Sequence, residues 1–188
     1  MKRIPVFATA VVLAAVAAMI ALGFWQLRRL HEKEALLARY AAAQTMSSEL
    51  EWTSAGVSEE LFYRHARLTC AAVTGHSSIA GRSADGVLGM AQTADCVLPG
   101  GGTARVVLGW SARPDAAAGW RGGEVHGVIA PGPRLVAQPP LAGLQANATP
   151  DPAEIPNNHL AYAIQWFFFA ATALVIYGLA LARREKRG

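Results

Sequence analysis

Charge is scarce in this 188-residue chain. Only 16% of its residues are charged, against about 25% in soluble globular proteins, while 53% are hydrophobic against roughly 45–50%. That apolar content excludes a disordered chain. Cysteine is almost missing, with Cys70 and Cys96 alone, so a disulfide-dense miniprotein is excluded as well. No internal or collagen-like repeat is present. The common catalytic signatures are also missing: there is no Walker phosphate loop, no HExxH, no GxSxG and no CxxC. The run Gly100, Gly101 and Gly102 lacks the helix and Lys that a phosphate cradle needs, and reads as a turn. Asp and Glu are scattered, with no pair that spacing brings together. An enzyme has no positive support, and no catalytic residue is assigned.

What is present is concentrated at the two ends. Residues 6–25 and 160–182 each run without a single charged side chain, and together they account for the apolar excess. The pI near 9.4 would point to nucleic acid if the basic residues lined one face. They do not. Residues 26–159 hold 11 basic and 12 acidic side chains, and the surplus sits in Lys2, Arg3 and the RREKR tail that flank the apolar blocks. Basicity placed there reads as membrane topology rather than as a phosphate-binding face, which excludes nucleic acid as a partner.

Residues 5–25, at about 1.5 Å per residue, reach roughly 31 Å, the thickness of a hydrocarbon core. Residues 160–182 are slightly longer. Lipid leaves backbone groups no water to bond, so each block should be a helix. Trp25 ends the first block, while Tyr162 and Trp166 lie near the start of the second, as interfacial aromatics do. The first block is longer than a signal peptide's apolar stretch and is followed at once by aromatic and basic residues, so it reads as a retained span. No Lys or Arg lies between Arg134 and Arg183, and a basic cluster follows. The positive-inside tendency then puts both termini in the cytoplasm and the middle outside it, although Arg28, Arg29 and Lys33 after the first span argue against this when that span is judged alone.

The expected architecture is a membrane α+β protein, with a first transmembrane helix at 1–25 and a helical extension and connection at 26–62. A small antiparallel sheet or partial barrel follows at 63–156, then a second transmembrane helix at 157–182 and a basic tail at 183–188. Within the sheet domain, β-prone runs at 63–73, 87–98, 104–110, 122–129 and 134–137 alternate with Gly- and Pro-rich turns. Cys70 and Cys96 fall on two of these runs, in a compartment that permits disulfides, so a cross-strand bridge is open to them. Their spacing argues against a copper-transfer site.

His159 stands apart from the other four histidines, which sit in polar or turn-rich surroundings. It lies at the membrane boundary, where ionisable groups tend to be functional. Its neutral imidazole would suit a haem iron, with Tyr162, Trp166 and Phe167 as an apolar wall. The plainer alternative is a solvated interfacial residue, or one paired with Glu154.

Four stretches resemble the surfeit-one family of cytochrome c oxidase assembly proteins. IPNNHLAYAIQWFFFA (155–170) is similar to that family's second-span signature of paired Asn, His and Leu followed by aromatics. LGFWQLRRLHEKEALL (22–37) is similar to its Gly-x-Trp-Gln-Leu-x-Arg motif, FYRHARLT to its first-strand Tyr-Arg pattern, and VVLGWSARP to its Gly-Trp strand end. Cys70 stands where the family usually has Gly, and Leu108 where it has Arg. The resemblance implies a protein of the bacterial inner membrane with two spans and a periplasmic β-rich domain. It also implies help in inserting haem a into the oxidase's catalytic subunit, with His159 as the haem ligand and no other metal. Trp25, Tyr162 and Trp166 would pack near that site. Arg28 and Arg29 would meet haem propionates or anionic lipid, since the guanidinium fork matches both. Expected partners are the oxidase's catalytic subunit, other respiratory-complex subunits and membrane lipid. The alternative is a structural accessory subunit that stays on the mature oxidase or a supercomplex and handles no cofactor.

Overall fold

The computed structural model describes residues 5–186. Lys2, Arg3 and Arg187, which carry part of the topology argument, lie outside them. The chain divides into two compact units: a helical one (Met1–Leu36 with Pro156–Gly188) and a sheet-based one (Leu37–Ile155).

Two long helices supply the first unit. Helix α1 (Val6–Gln44) is continuous, so the apolar block and the charged LHEKEALLARY stretch are one element. Helix α2 (His159–Lys186) carries the second apolar block. Both are long and apolar enough to cross a membrane. Their apolar side chains are largely uncovered: Phe7 is 84% exposed and Phe168 67%. A helix that is apolar on every side suits lipid rather than water.

The second unit is a seven-stranded sheet. Its strands are β1 (Leu50–Glu51), β2 (His65–Cys70), β3 (Ala72–Arg82), β4 (Leu88–Val97), β5 (Thr103–Ser111), β6 (Gly123–Ala130) and β7 (Arg134–Ala137). The order across the sheet is β1-β2-β6-β7-β5-β4-β3. Period-two alternation is clearest in β2, where Ala66, Leu68 and Cys70 point inward while Arg67 and Thr69 point out. Leu68, Val106, Leu108, Val125, Ile129 and Leu135 are fully buried and form the core. Gly100, Gly101 and Gly102 all have positive φ (78°, 96° and 86°), which lets the β4–β5 hairpin close with Leu98 N–H on the Gly102 carbonyl at 3.1 Å.

Two sequence-based expectations need correction. The sheet is mixed rather than antiparallel, because β1 runs parallel to β2 and β7 parallel to β5. The long excursion after β5 carries the chain past one strand position, and the β6–β7 hairpin then returns β7 into that slot. The sheet is also open, not a partial barrel. Its edges are β1 and β3, and no ladder joins them. Only Ala71 separates β2 from β3, so those strands are consecutive stretches of one extended run and cannot pair side by side. At this crossing the Cys70–Cys96 disulfide forms (S–S 2.06 Å, Cα–Cα 5.2 Å), beside a bond from Ala71 N–H to the Val97 carbonyl. It ties the end of β2 to β4. Strand β3 itself runs on to Arg82, well past the expected end at residue 73. It has no buried residue and no apolar alternation to announce it.

The entry to β2 is strained. Tyr63 has φ of 68°, a conformation that costs about 1–3 kcal/mol in a bulky residue, yet it is only 3% exposed. Its N–H bonds the Ile129 carbonyl at 2.8 Å, and its ring lies 4.9 Å from that of Tyr40 in the last turns of α1. Burial, then the nearby Tyr40, Asp151 and Glu154, raise the Tyr63 phenol pKa, with Arg134 opposing them.

Candidate functional site

The helical unit brings the two end motifs together. On α1 the less exposed positions recur at alternating intervals of three and four: Thr9, Val12, Val16, Met19, Gly23, Gln26 and Leu30. On α2 the matching stripe is His159, Ala163, Phe167, Ala170, Ala173 and Tyr177. Spacing of this kind keeps one face of each helix turned to its partner. Contacts recur along the seam. Near one end the Thr9 and Tyr177 hydroxyls are 2.5 Å apart. Towards the other, Phe24 and Phe167 meet edge to face with centroids 5.4 Å apart. There the helices approach closely because Gly23 has no side chain: a Cβ at that position would lie 2.6 Å from the Phe167 ring. One turn further on, His159 Nδ1 sits 2.7 Å from Gln26 Oε1. Thr9 to Gln26 and Tyr177 to His159 each cover roughly 26 Å of helix, so the two polar clasps are spaced by about one hydrocarbon thickness.

His159 is half-buried and holds Gln26. Within the sheet unit, Glu154 pairs with Arg82 at 2.5 Å. Asn158 accepts the first helical bond through its carbonyl, from Tyr162 N–H at 3.2 Å, and the Asn157 Oδ1 beside it is buried without a partner. Tyr162, three residues on, is half exposed. Trp166 meets Phe169 at 6.2 Å in a T-shaped pair. Trp25 is 45% exposed, and among the described residues no aromatic pair links it to Tyr162 or Trp166. Arg28 is exposed, and Arg29 bonds Glu32 at 2.7 Å along its own helix. The aromatic pair at the helix crossing is thus Phe24 with Phe167. Gln26, quoted in the LGFWQLRRLHEKEALL motif without a role, is the residue the sequence reading missed. Its signal was the heptad spacing from Val16 through Gly23, which puts position 26 on the inner seam.

The SURF1 family model matches residues 13–171. The chain belongs to the SURF1 family. That family is associated with cytochrome c oxidase assembly, and its members are membrane-associated assembly factors. No curated protein and no solved structure matches the chain.

At this SURF1-family site the side chain with metal-ligating chemistry is His159. Among the described residues no cluster of three or more His, Cys, Asp or Glu could hold a metal. A histidine with one ring nitrogen engaged by an acceptor keeps the other for a metal-bearing group such as a haem. His159 fits that description. The sheet unit has a surface cleft of about 560 Å³ beside Trp52, Asp95 and Arg105. Its two charged groups already pair at 2.8 Å, and Asp95 holds the Arg105 guanidinium further above its usual pKa.

Proposed function

We propose that this SURF1-family chain is a membrane-anchored, non-enzymatic assembly factor that binds haem a through His159 and presents it to the oxidase's catalytic subunit. The observation that carries the reading is the Gln26–His159 clasp, which joins the second-span motif to the first-span motif at one end of the helix pair. His159 would hold the haem through its free ring nitrogen, and the group would supply the iron porphyrin that the catalytic subunit takes up. Gln26 would orient the ring, and Phe24 and Phe167 would keep water out of the crossing. Arg28 and Arg29, exposed on the following turn, would meet propionates or lipid phosphates, Arg29 after release of its weak surface pair with Glu32. The proposed topology has two spans in a bacterial inner membrane, with both termini cytoplasmic and the sheet unit periplasmic. The basic cluster that follows the second apolar block supports it, as does the disulfide, which belongs to an oxidising compartment.

Deletion of the gene tests the reading. The expected result is a catalytic subunit that is made and inserted but lacks haem a, restored by the wild-type chain and not by His159→Ala. Oxidase that carries its full haem complement without the chain would instead identify an accessory subunit.

A further inference from the structure

We infer that Gln26 is the positioning residue that fixes the proton of His159 on Nδ1 and leaves Nε2 as the ligating nitrogen. This rests on the proposed haem role of His159, but the proton assignment comes from the helix pair alone. Gln26 Oε1 lies 2.7 Å from His159 Nδ1. An amide oxygen only accepts, so at that distance Nδ1 must donate and carry the hydrogen. In a neutral imidazole Nε2 then holds a bare lone pair. Among the described residues Nε2 has no hydrogen-bond partner, whereas Nδ1 is engaged. A histidine whose outer N–H is held by a carbonyl is fixed in ring orientation and is a more basic ligand, and loss of such a partner typically lowers metal affinity about 10–100-fold.

The neighbouring contacts explain why this glutamine reaches. Gly23 lies three residues before Gln26 on the same seam, and its missing Cβ lets the Phe167 ring occupy that space. Phe167 is two turns beyond His159 on α2, so the close approach at Gly23 is what brings the Gln26 amide to the first turn of α2. Along the inner seam of the apolar part of α1, Gln26 is one of only two polar side chains. The other, Thr9, bonds Tyr177 at the opposite end.

The full chain, labelled with 15N-histidine in lipid nanodiscs, gives a direct test. Ring-nitrogen shifts and couplings should assign His159 to the Nδ1–H tautomer in the wild type without haem. Gln26→Met keeps the length and packing of the side chain but removes the amide oxygen, and should shift His159 to a mixture or to Nε2–H. Titrated with haem a, Gln26→Met should bind about 10–100-fold more weakly than wild type. An Nε2–H tautomer in the wild type would overturn the inference even if the variant failed to fold, because the amide would then be turned to donate to Nδ1. A tautomer unchanged in a folded Gln26→Met would overturn it too. A wild-type chain with the Nδ1–H tautomer that binds no haem a would sink the haem reading and uphold the proton assignment.

Discussion

Removing the Cys70–Cys96 bridge should cost the sheet unit about 3.5 kcal/mol. The bridge closes a loop with a sequence separation of 26, and the chain-entropy relation gives about 3.5 kcal/mol at 25 °C for a loop of that length. Both residues are at most 2% exposed, so Cys70→Ala/Cys96→Ala also loses some buried surface, and the entropic figure is a lower bound on the change. A domain of roughly 120 residues moves by about 4 °C for each kcal/mol, so its melting temperature should drop by roughly 14 °C. The assay is thermal unfolding of the full chain in detergent, followed through the β-sheet signal, with thiol alkylation of protein isolated from membranes. The alkylation should find no free thiol unless the protein is first reduced. Two free thiols in the isolated protein, or a melting point that falls by less than about 4 °C, would refute both the clasp at the β2–β3 crossing and the oxidising compartment inferred from it.

Three further outcomes follow from the packing. Gly127→Ala places a Cβ 2.0 Å from the Val136 carbonyl in the β6–β7 ladder, and should destabilise the sheet by about 3 kcal/mol in denaturant unfolding. Gly75→Ala, whose Cβ would meet nothing closer than 3.8 Å, should stay within about 0.5 kcal/mol of wild type, and equal effects would contradict the account. Gly23→Leu should widen the spacing between spin labels on the exposed Leu22 and Phe168 by about 1–2 Å, because interaxial distance follows the side chains at the crossing; an unchanged distribution would contradict the close approach at Phe167. The raised pKa of Tyr63 means that the folded state holds its phenolic proton more tightly than the unfolded chain. Its stabilising contribution is complete below the ordinary tyrosine pKa of about 10 and is lost as pH climbs through the raised value, so stability should fall above about pH 10, less steeply in Tyr63→Phe.

The helices were legible because their signal is one-dimensional. A charge-free block long enough for a bilayer needs no knowledge of its neighbours, and the hairpin at Gly100, Gly101 and Gly102 is equally local. Strand β3 was hidden for the opposite reason. Thr74, His76, Ser77 and Ser78 lie on an edge strand wet on both sides, so no apolar alternation marks them as a strand. The parallel pairings of β1 with β2 and β7 with β5 depend on non-local order, which no short window contains. At the site, His159 could be picked out by its place at a span boundary, but its partner could not. Gln26 lies 133 residues away in sequence, and only the antiparallel approach of α1 and α2 brings the two together. Trp25, read from its position as an interfacial aromatic, is 45% exposed at the end of the apolar block.

The most direct measurement is the visible spectrum of the full-length chain purified from cells that make haem a, compared with His159→Ala prepared in the same way. The account predicts a haem a Soret and α band in the wild type, in close to one equivalent, and their loss in a His159→Ala protein whose sheet unit melts normally. A wild-type protein with no haem band, or a His159→Ala protein with the same band at the same stoichiometry, would contradict it.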